Sequence, residues 1–479
     1  MAKKGEDFSA WYNELVERAE LIDKRYPVKG MDVWRPHGLA VMNLIDGLIH
    51  AEMRRTKHQE VRFPTLIPET EFQKEADQIK GFGANVYWVT HGGESELDVK
   101  LLLRPTSETA MYPMFSLWIR SHADLPLKIY QMCSVFRYET KQTRSFLRVR
   151  EIHFFEAHTA HATWEDAEAQ VLQDLEIWER LAEKLCLPYA LTRRPDWDKF
   201  PGAKYSVGAD TMMPELKTLQ VATMHQYGEN FAKPYNIQYE QADGARTFAH
   251  QTTYGMSERL LGAIVGIHGD DKGLVVPPAI APLQAVLIPI LFKGKEGPVM
   301  EACRKAMATL EAAGVRAHFD DREITAGSKY FDWELKGVPL RIEIGPRDVE
   351  SGKAVLVPRD LDSKQGKSFV EASNLAKEVE SALAGVQQRL REKAQRIIVE
   401  HQKPVITIAQ AKAAEGIAVL PWCGSEECGL RVEKETEKAV LGVPVRVQGD
   451  KVVEEQHPSA ACGACGKGTT MVMRVARTY

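Results

Sequence analysis

A predicted strand, polar loop and return strand between residues 135 and 151 constrain the fold of this chain more than any other segment. The first strand carries Arg137 and Glu139, which period-2 geometry places on one face; the return strand carries Arg148 and Arg150. Guanidinium groups bind phosphate oxygens through paired N–H donors, and a carboxylate can accept a hydrogen bond from an adenine amino group. The segment therefore predicts a hairpin that binds a nucleotide triphosphate, although by itself it equally fits a solvated hairpin with a surface salt bridge.

Two further segments flank this hairpin at suitable spacing. Upstream, the apolar rhythm predicts a helix over residues 38–56, and residues 58–64 predict a strand ended by Pro64. Downstream, residues 252–259 predict a strand that leads into a helix with Arg259 in its first turns. In this order the three segments resemble motifs 1, 2 and 3 of class II aminoacyl-tRNA synthetases. The resemblance implies a mostly antiparallel catalytic sheet flanked by helices, and a homodimer formed through motif 1.

Residues 104–108 indicate which amino acid is used, because their sequence RPTSE resembles the amino-acid-binding motif of prolyl-tRNA synthetases. Residues 219–225 (LQVATMH) resemble a second motif of that family, and further similar signatures lie at 157–161, 268–278 and 333–341. The resemblance covers about residues 8–479 and is nearest to the archaeal and eukaryotic type of enzyme. It implies a proline site formed by four residues: Thr106, Glu108, Arg137 and His225.

The chemistry of proline fits these residue types. Its ammonium has two N–H donors, which a hydroxyl at Thr106 and a carboxylate at Glu108 can accept, while Arg137 can reach the substrate carboxylate and the α-phosphate together. Structural alternatives exist for two of them. His225 can be a hydrogen-bonded core histidine, and Glu108 can be a helix-terminal charge after Thr106 and Ser107, a role that is compatible with substrate binding.

The resemblance also implies the reaction: ATP-dependent attachment of L-proline to tRNA(Pro) in two steps through prolyl-adenylate. Such a reaction needs positioning and charge neutralisation rather than a side-chain nucleophile. Arg137 and Arg259 are the expected catalytic residues. Mg²⁺ is expected to bridge phosphate oxygens, with Gln220 as its nearest protein contact. The expected ATP-binding residues are Arg137, Glu139, Arg148, Val149, Gln220, Thr223, Ser257 and Arg259.

Three departures from the family pattern involve four positions. Ile152 replaces the adenine-stacking aromatic residue of motif 2, and Phe154 on the same strand face is a possible substitute. Val221 and Ala222 stand where small glycines are usual, and Tyr254 replaces a tryptophan of motif 3. None of these changes removes a charged group, so we expect activity to be retained.

Two other functions are compatible with parts of this pattern. One is an inactive, synthetase-like RNA-binding regulator, against which the intact charged residues argue. The other is threonine or serine specificity; threonyl enzymes place a zinc-binding cysteine in the active site, and the pocket motifs here contain none. Only about 120 residues separate Arg137 from Arg259, too few for a large inserted editing domain, and none is expected at the N-terminus.

The chain is too long for one compact core, and three domains are expected. Residues 1–278 form an α+β catalytic domain with a class II antiparallel sheet. A stiff proline-rich linker over 277–282 leads to residues 283–372, whose alternating strands and helices predict an α/β layer with parallel strands. This part resembles an anticodon-binding domain. Residues 373–479 begin with a helix over 373–401 and form a small zinc-binding α+β C-terminal domain.

Five residues at predicted strand ends and loops are candidate tRNA anticodon contacts: Arg322, Lys336, Arg341, Glu343 and Arg347. Unpaired bases are read through their exposed edges and by stacking on aromatic or guanidinium planes. Each of these residues is individually more typical of a surface charge or a local ion pair, so the prediction rests on the cluster.

Four cysteines form two closely spaced pairs, Cys423-x4-Cys428 and Cys462-x2-Cys465. Such pairs can enclose one tetrahedral ion, and four thiolates leave no open position, so the pattern predicts a structural Zn²⁺. A disulfide is the alternative, which a reducing compartment disfavours. The other three cysteines lie in apolar contexts and are expected to be buried thiols.

Composition limits the partners and the location. The net charge of −4 gives no global nucleic-acid signal, so tRNA must be bound by local basic patches. No apolar run is long enough to span a bilayer and the first residues do not resemble a secretory leader, so a cytoplasmic protein without membrane contact is expected.

Overall fold

The computed structural model describes residues 1–74, 85–362 and 366–479. Its N-terminal part contains a central sheet with helices packed on it. The helices are α1 (Phe8–Arg18), α2 (Pro36–Arg55), α3 (Glu69–Gln73), α4 (Glu108–Trp118), α5 (Trp164–Leu185) and α6 (Arg259–His268). The strands are β1 (Ile22–Asp23), β2 (Val33–Trp34), β3 (Gln59–Glu60), β4 (Leu66–Pro68), β5 (Tyr87–Gly92), β6 (Ser95–Leu103), β7 (Leu127–Phe136), β8 (Glu151–His161), β9 (Ala190–Arg193), β10 (Tyr205–Met212), β11 (Thr218–Gly228), β12 (Gln238–Glu240), β13 (Arg246–Phe248) and β14 (His250–Ser257).

The central sheet is mostly antiparallel, as expected for class II enzymes. Strands β9, β10, β11, β14, β8 and β7 follow one another in antiparallel order, and β3 pairs with β7 in parallel. Helices α5 and α6 pack against it, and α6 is buried from Leu260 to His268. An all-round apolar helix of this kind has to lie inside a core, and it fixes Arg259 at the edge of the sheet.

The predicted hairpin forms, but its strands end earlier than the alternation suggested. Strands β7 and β8 pair antiparallel up to Phe136 and Glu151. Arg137 and Glu139 therefore lie in the connection rather than on a strand face, and Arg148 lies in a tight turn closed by the Arg144 N–H to the Arg148 carbonyl at 2.8 Å. The Arg137 N–H still donates to the Arg150 carbonyl at 2.9 Å, but Glu139 and Arg148 lie outside the paired strands.

The second part of the chain is an α/β layer. Its elements are β15 (Ala285–Pro289), α7 (Glu296–Ala312), β16 (Ala317–Phe319), α8 (Ala326–Leu335), β17 (Leu340–Ile344), α9 (Pro346–Ser351), β18 (Lys353–Pro358) and β19 (Ser368–Glu371). Strand β15 pairs in parallel with β16 and β17, but β17, β18 and β19 are antiparallel. The expectation of a parallel sheet is thus wrong for half of it, because α9 and its short connections are shorter than a parallel crossover requires.

The third part begins with a long helix, α10 (Leu375–Glu400), as the apolar stripe predicted. It continues with β20 (Gln402–Pro404), α11 (Ile408–Ala413), β21 (Ile417–Pro421), α12 (Glu426–Thr436), β22 (Ala439–Gln448), β23 (Lys451–Glu454), β24 (Ala460–Ala461), β25 (Gly468–Thr469) and β26 (Val472–Ala476).

The C-terminal strands extend the catalytic sheet. Strand β22 pairs with β9, with Val443 opposite Arg193, and β26, β21 and β20 follow outward. Gly442 has φ +118°, and a Cβ there would overlap the Arg193 carbonyl, so only glycine allows the two strands this close. Among the described residues, no helix is both long and apolar enough to cross a membrane.

Candidate functional site

A cavity of about 480 Å³ lies against the central sheet. It is bordered by the start of α4, the connection between β7 and β8, strands β10, β11 and β14, and the start of α6. The residues predicted from sequence to bind proline or ATP all line this cavity: Thr106, Glu108, Arg137, Glu139, Arg148, Val149, Gln220, Thr223, His225, Ser257 and Arg259. The fold therefore brings segments about 150 residues apart in sequence into one site.

One end of the cavity presents hydrogen-bond acceptors. Glu108 is the first residue of α4 and is 2 % exposed. Its carboxylate accepts a hydrogen bond from the Thr106 hydroxyl and another, at 2.9 Å, from the Tyr227 hydroxyl. Glu108 thus occupies the helix N-terminus, where a negative charge is favourable, and faces the cavity at the same time.

A buried hydrogen-bond network around Glu156 supports the acceptor end of the cavity. Glu156 accepts hydrogen bonds from the Ser107 hydroxyl and from the Gln131 amide, and its other oxygen lies 3.1 Å from His158 Nε2. Burial opposes ionisation of Glu156, but the partners His158, Ser107 and Gln131 dominate and lower its pKa to about 2. Because Ser107 stands between Thr106 and Glu108, this network fixes the two acceptors.

The other end of the cavity is rich in guanidinium groups. Burial lowers the pKa of Arg137, whose Nε donates to the Pro105 carbonyl at 3.2 Å. Burial, together with repulsion from Arg137 and Arg148, lowers the pKa of Arg259 to about 10. Arg259 donates to the Leu147 carbonyl at 3.0 Å and to the Gln220 carbonyl at 3.3 Å. Guanidinium groups that repel one another in a buried site create a strong preference for an anionic ligand.

The hydrogen-bonded alternative for His225 is present in the structure, and its role beside the proline ring stays a prediction. Its Nδ1 lies 2.7 Å from the Ser206 hydroxyl, its ring is parallel to Tyr227 within 5° and lies 4.8 Å from the Phe200 ring. Burial lowers the pKa of His225 to about 3, so the ring is neutral at pH 7. It is a hydrogen-bonded histidine that also lines the cavity.

The positions that depart from the family pattern are found in two places. Ile152 and Phe154 both line the cavity, as do Val221 and Ala222. Tyr254 is fully buried outside the cavity lining, and its hydroxyl lies 3.2 Å from the Met256 sulfur.

Sequence reasoning missed part of the cavity wall. Glu258 lines it, and burial raises the pKa of Glu258 to about 8. The loop between β9 and β10 contributes Arg194, Asp198, Lys199 and Phe200. The signal available in the sequence was a segment rich in charged and aromatic residues, which has no distinctive spacing.

The five candidate anticodon residues occupy different environments. Arg322 pairs with Asp320 at 2.7 Å and Asp332 at 2.9 Å, and Arg347 is exposed. Lys336 pairs with Glu20 of the N-terminal part at 3.0 Å. Arg341 and Glu343 are buried on β17 and pair with each other at 2.9 Å.

The positions of Arg341 and Glu343 within β17 correct the expectation that the candidate contacts lie at strand ends and in loops. Arg341 and Glu343 have side chains inside the domain, because the central strand β17 is covered on both faces, and Lys336 is engaged between two parts of the chain. Arg322 and Arg347 remain at the surface.

The four C-terminal cysteines converge. Their Sγ atoms all lie within 4.8 Å of one another, with Cys423 at 3.6 Å from Cys428 and 3.8 Å from Cys465. Tetrahedral zinc thiolates at a Zn–S distance of about 2.3 Å have sulfurs about 3.8 Å apart. All four are free thiols here, and Gly424 and Gly466 adopt positive φ in the turns beside them. The donor set and its spacing fit a zinc ion.

Three family models match consecutive parts of the chain. The class II tRNA synthetase core domain (G, H, P, S and T) matches residues 87–268, an anticodon binding domain matches 284–382, and the prolyl-tRNA synthetase C-terminal domain matches 407–479.

Curated relatives match over the full length. A proline–tRNA ligase of Thermococcus kodakarensis is 57 % identical over 100 % of this chain and 99 % of its own, and one of Thermoplasma acidophilum is 51 % identical over 100 % of both. The solved Giardia lamblia prolyl-tRNA synthetase in complex with prolyl-adenylate is 35 % identical, covers 100 % of this chain and 99 % of its own, and superimposes with a TM-score of 0.95. The chain belongs to the prolyl-tRNA synthetase family.

Proposed function

We propose that this enzyme, a proline–tRNA ligase, activates L-proline with ATP and transfers it to tRNA(Pro) through prolyl-adenylate. The observation that carries the proposal is the division of one cavity into an acceptor end, with Thr106 and Glu108, and a guanidinium end, with Arg137 and Arg259. An amino acid and a nucleotide triphosphate carry the complementary groups. A relative of this fold was solved with the adenylate that joins them.

In the first step the proline carboxylate attacks the α-phosphate and pyrophosphate leaves. Thr106 and Glu108 accept the two ammonium N–H groups, and His225 closes the pocket beside the ring. Arg137 neutralises the carboxylate and the α-phosphate, which otherwise repel as they approach. In the second step the terminal ribose hydroxyl of tRNA attacks the prolyl carbonyl of the adenylate, so that an ester bond to tRNA forms, the acyl–phosphate bond breaks and AMP leaves. The protein therefore acts by holding the reactants together.

The nucleotide occupies the guanidinium end. Glu139 accepts from the adenine amino group, and Arg148 and Arg259 bind the outer phosphates. Val149, Thr223 and Ser257 line the same region. Phe154 lines the cavity beside Ile152 and is an aromatic side chain that can stack near the adenine.

Mg²⁺ is the expected metal for this end. Gln220 and Glu258 both line the cavity, and Glu258 Oε2 is buried without a hydrogen-bond partner among the described residues. Oxygen donors of this kind suit Mg²⁺, so the side chains fit the ion. When bound, Mg²⁺ would supply charge neutralisation on the phosphate oxygens.

The test is amino-acid-dependent ATP–pyrophosphate exchange with each of the twenty amino acids. Exchange that is fastest with proline by orders of magnitude supports the assignment. Exchange led by threonine or serine would support another specificity of the same fold, and no exchange with any amino acid would support a binding protein without catalytic activity.

We propose that the C-terminal cysteines hold one structural Zn²⁺, supported by the sulfur spacing described above. Free thiolates at such a site fit a reducing compartment such as the cytoplasm. Metal analysis of the purified chain should give one zinc per chain, and Cys428→Ser should lower that value and destabilise the C-terminal part. Zinc-free protein with a disulfide between any two of the four would contradict the proposal.

Anticodon reading is proposed for the second part of the chain. The exposed Arg347 is the contact that bases or phosphates can reach directly, whereas the other four candidates would have to exchange an existing ion pair for an RNA contact: Arg322, Lys336, Arg341 and Glu343. The matching anticodon-binding family model supports the location.

A homodimer through residues 38–64 is also proposed. Phe63 packs beside Trp118, with ring centroids 5.7 Å apart, and Trp118 and its neighbour Leu117 are 42 % and 55 % exposed. Large exposed apolar side chains beside the motif 1 strand are typical of an interface. Sedimentation velocity should give a dimer, and a fully active monomer would refute it.

Editing within this chain is not expected. The residues between Arg137 and Arg259 form β8, α5, β9, β10, β11, β14 and the β12–β13 hairpin. These elements build the catalytic sheet and its cover, which supports an enzyme without an inserted hydrolytic domain.

A further inference from the structure

The loop between β9 and β10, residues 194–204, forms one wall of the cavity. Phe200 of this loop lines the cavity, with its ring centroid 4.8 Å from that of His225 and 5.8 Å from that of Tyr227. The Phe200 N–H donates to the Ser206 hydroxyl at 3.1 Å, and the same hydroxyl lies 2.7 Å from His225 Nδ1. Tyr227 in turn donates to Glu108. The loop thus touches the acceptor end of the cavity through Phe200.

The same loop is attached on its other side to the cysteine module. Trp197 packs with its ring centroid 6.1 Å from that of Trp422, at an interplanar angle of 87°. Its indole also lies directly over Gly429, where a Cβ would overlap the ring. Trp197 is partly buried in the hydrophobic cluster that includes Trp422, Cys428 and Cys462.

Both contacts of Trp197 are next to cysteines of the cluster. Trp422 precedes Cys423, and Gly429 follows Cys428 on α12. The Trp422 backbone is held by the Met471 carbonyl at 2.9 Å, and its indole donates to the Ser425 carbonyl at 2.9 Å. The surface on which Trp197 rests is therefore defined by the cysteine cluster.

The loop is otherwise held by few contacts at its centre. The Asp198 and Lys199 N–H groups donate to the Pro195 carbonyl at 3.0 and 2.9 Å, which closes a turn within the loop itself. Arg194 anchors the loop start by donating to Asp210 at 2.8 Å and to the Leu441 carbonyl at 3.0 Å. Trp197 is the large apolar side chain between that anchor and Phe200.

We propose that Trp197 is a positioning residue through which the four-cysteine module holds the proline end of the cavity in shape. This deepens the proposed function and rests on the assignment of that end to proline. The module then contributes to substrate selection as well as to the stability of the C-terminal part. The guanidinium end is supported by α6 and by the β7–β8 connection, so nucleotide binding does not depend on Trp197.

The first test is steady-state ATP–pyrophosphate exchange by the full-length Trp197→Ala variant. Misplacement of the Phe200 wall should lower kcat/KM for proline by about 10- to 100-fold and leave the KM for ATP unchanged. Trp197→Phe keeps an aromatic ring on Gly429 and should recover most of the loss. Equal losses for both substrates, or no loss in a folded variant, would overturn the proposal.

Gly429→Ala provides an independent perturbation from the other side of the contact. Alanine has a higher helix propensity than glycine, so the substitution stabilises α12 taken alone. The new methyl group, however, must displace the Trp197 indole. The KM for proline should rise. Leu430→Ala is the matched control, since Leu430 is the next residue of α12 and is 43 % exposed. A Gly429→Ala enzyme with wild-type proline kinetics would contradict the coupling.

Hydrogen exchange gives a readout that does not depend on catalysis. Amides of residues 196–203 should exchange faster in Trp197→Ala and in Cys428→Ser than in wild type, while amides of β11 and α6 remain protected. Unchanged protection of residues 196–203 in Cys428→Ser would show that the cysteine module does not hold the loop in place. Proline-dependent ATP–pyrophosphate exchange by the wild-type enzyme distinguishes failure of the proposed function from failure of the coupling. Its absence refutes the proposed function. An active wild type with unaffected variants refutes only the coupling between the cysteine module and the loop.

Discussion

Arg137 and Arg148 lie close enough to Arg259 in the cavity to lower the pKa of the Arg259 guanidinium. The pKa of Arg259 falls to about 10 because of burial first and of its two arginine neighbours second. Arg259 therefore stays charged at pH 7, in a position where its charge is destabilising until an anion arrives. Residues of this kind serve a ligand rather than the fold.

Replacing Arg137 or Glu108 by alanine should abolish adenylate formation without unfolding the protein. The transition state would lose a charge-assisted contact in a buried site, which costs about 2–4 kcal/mol. ATP–pyrophosphate exchange measures the loss, and thermal unfolding tests the fold. Arg25→Ala is a suitable control because the Arg25 side chain is 90 % exposed. Exchange close to the wild-type rate in either variant would remove these residues from the mechanism.

At the scale of elements, motif spacing predicted which segments meet but not the path of the backbone. Residues 135–151 were predicted as two strands with Arg137 and Glu139 on one face, whereas β7 ends at Phe136. Period-2 alternation cannot report where a ladder stops, since that depends on the tight turn at Arg144–Arg148. The site residues were still identified, because the residue types at fixed spacing carry the chemistry whether they lie on a strand or just beyond it.

The C-terminal residue supports that turn and had no sequence signal. The Tyr479 ring lies 5.8 Å from the Arg144 guanidinium, and its hydroxyl donates to Glu215 at 2.7 Å. Arg144 also donates to Ser9 at 2.6 Å and closes the turn that carries Arg148. Contacts between residues more than 300 positions apart cannot be read from local patterns.

Removing the Tyr479 ring should therefore weaken nucleotide binding. In Tyr479→Ala the Arg144 guanidinium loses the aromatic ring that packs against it, so the turn that carries Arg148 is less well positioned. The KM for ATP should therefore rise several-fold, while the KM for proline changes less. Tyr479→Phe keeps the ring and loses only the hydrogen bond to Glu215, so it should remain near wild type. If the two variants behave alike, the ring does not support the turn.

At the scale of the whole molecule, one sheet joins the catalytic strands to the C-terminal strands. Residues 373–479 were predicted from their long helix and their cysteine pairs to form a small C-terminal domain, and the structure adds that β22 continues the catalytic sheet through β9. This pairing is specified by backbone hydrogen bonds and by the absence of a side chain at Gly442, neither of which has a periodic signature. The four cysteines, in contrast, were recognisable because metal binding imposes short fixed spacings.

The arrangement of the whole chain also bears on fidelity. A pocket shaped for a pyrrolidine ring admits smaller amino acids, because one missing methylene costs only about 1–3 kcal/mol of discrimination. Alanine and cysteine are small enough to enter, and high accuracy then requires a second, hydrolytic site. The described elements between Arg137 and Arg259 belong to the catalytic sheet and its cover, which supports the proposal that this enzyme has no inserted hydrolytic domain.

We therefore expect measurable activation of alanine and cysteine and no hydrolysis of alanyl-tRNA(Pro) by this enzyme. Purified protein mixed with preformed alanyl-tRNA(Pro) should leave its deacylation at the spontaneous rate, with buffer alone as the control. Prolyl-tRNA(Pro) measured in parallel shows whether any loss is specific to the mischarged species. If this enzyme does not hydrolyse alanyl-tRNA(Pro), a separate protein has to do so. Enzyme-dependent deacylation well above the spontaneous rate would instead show a hydrolytic site within this chain.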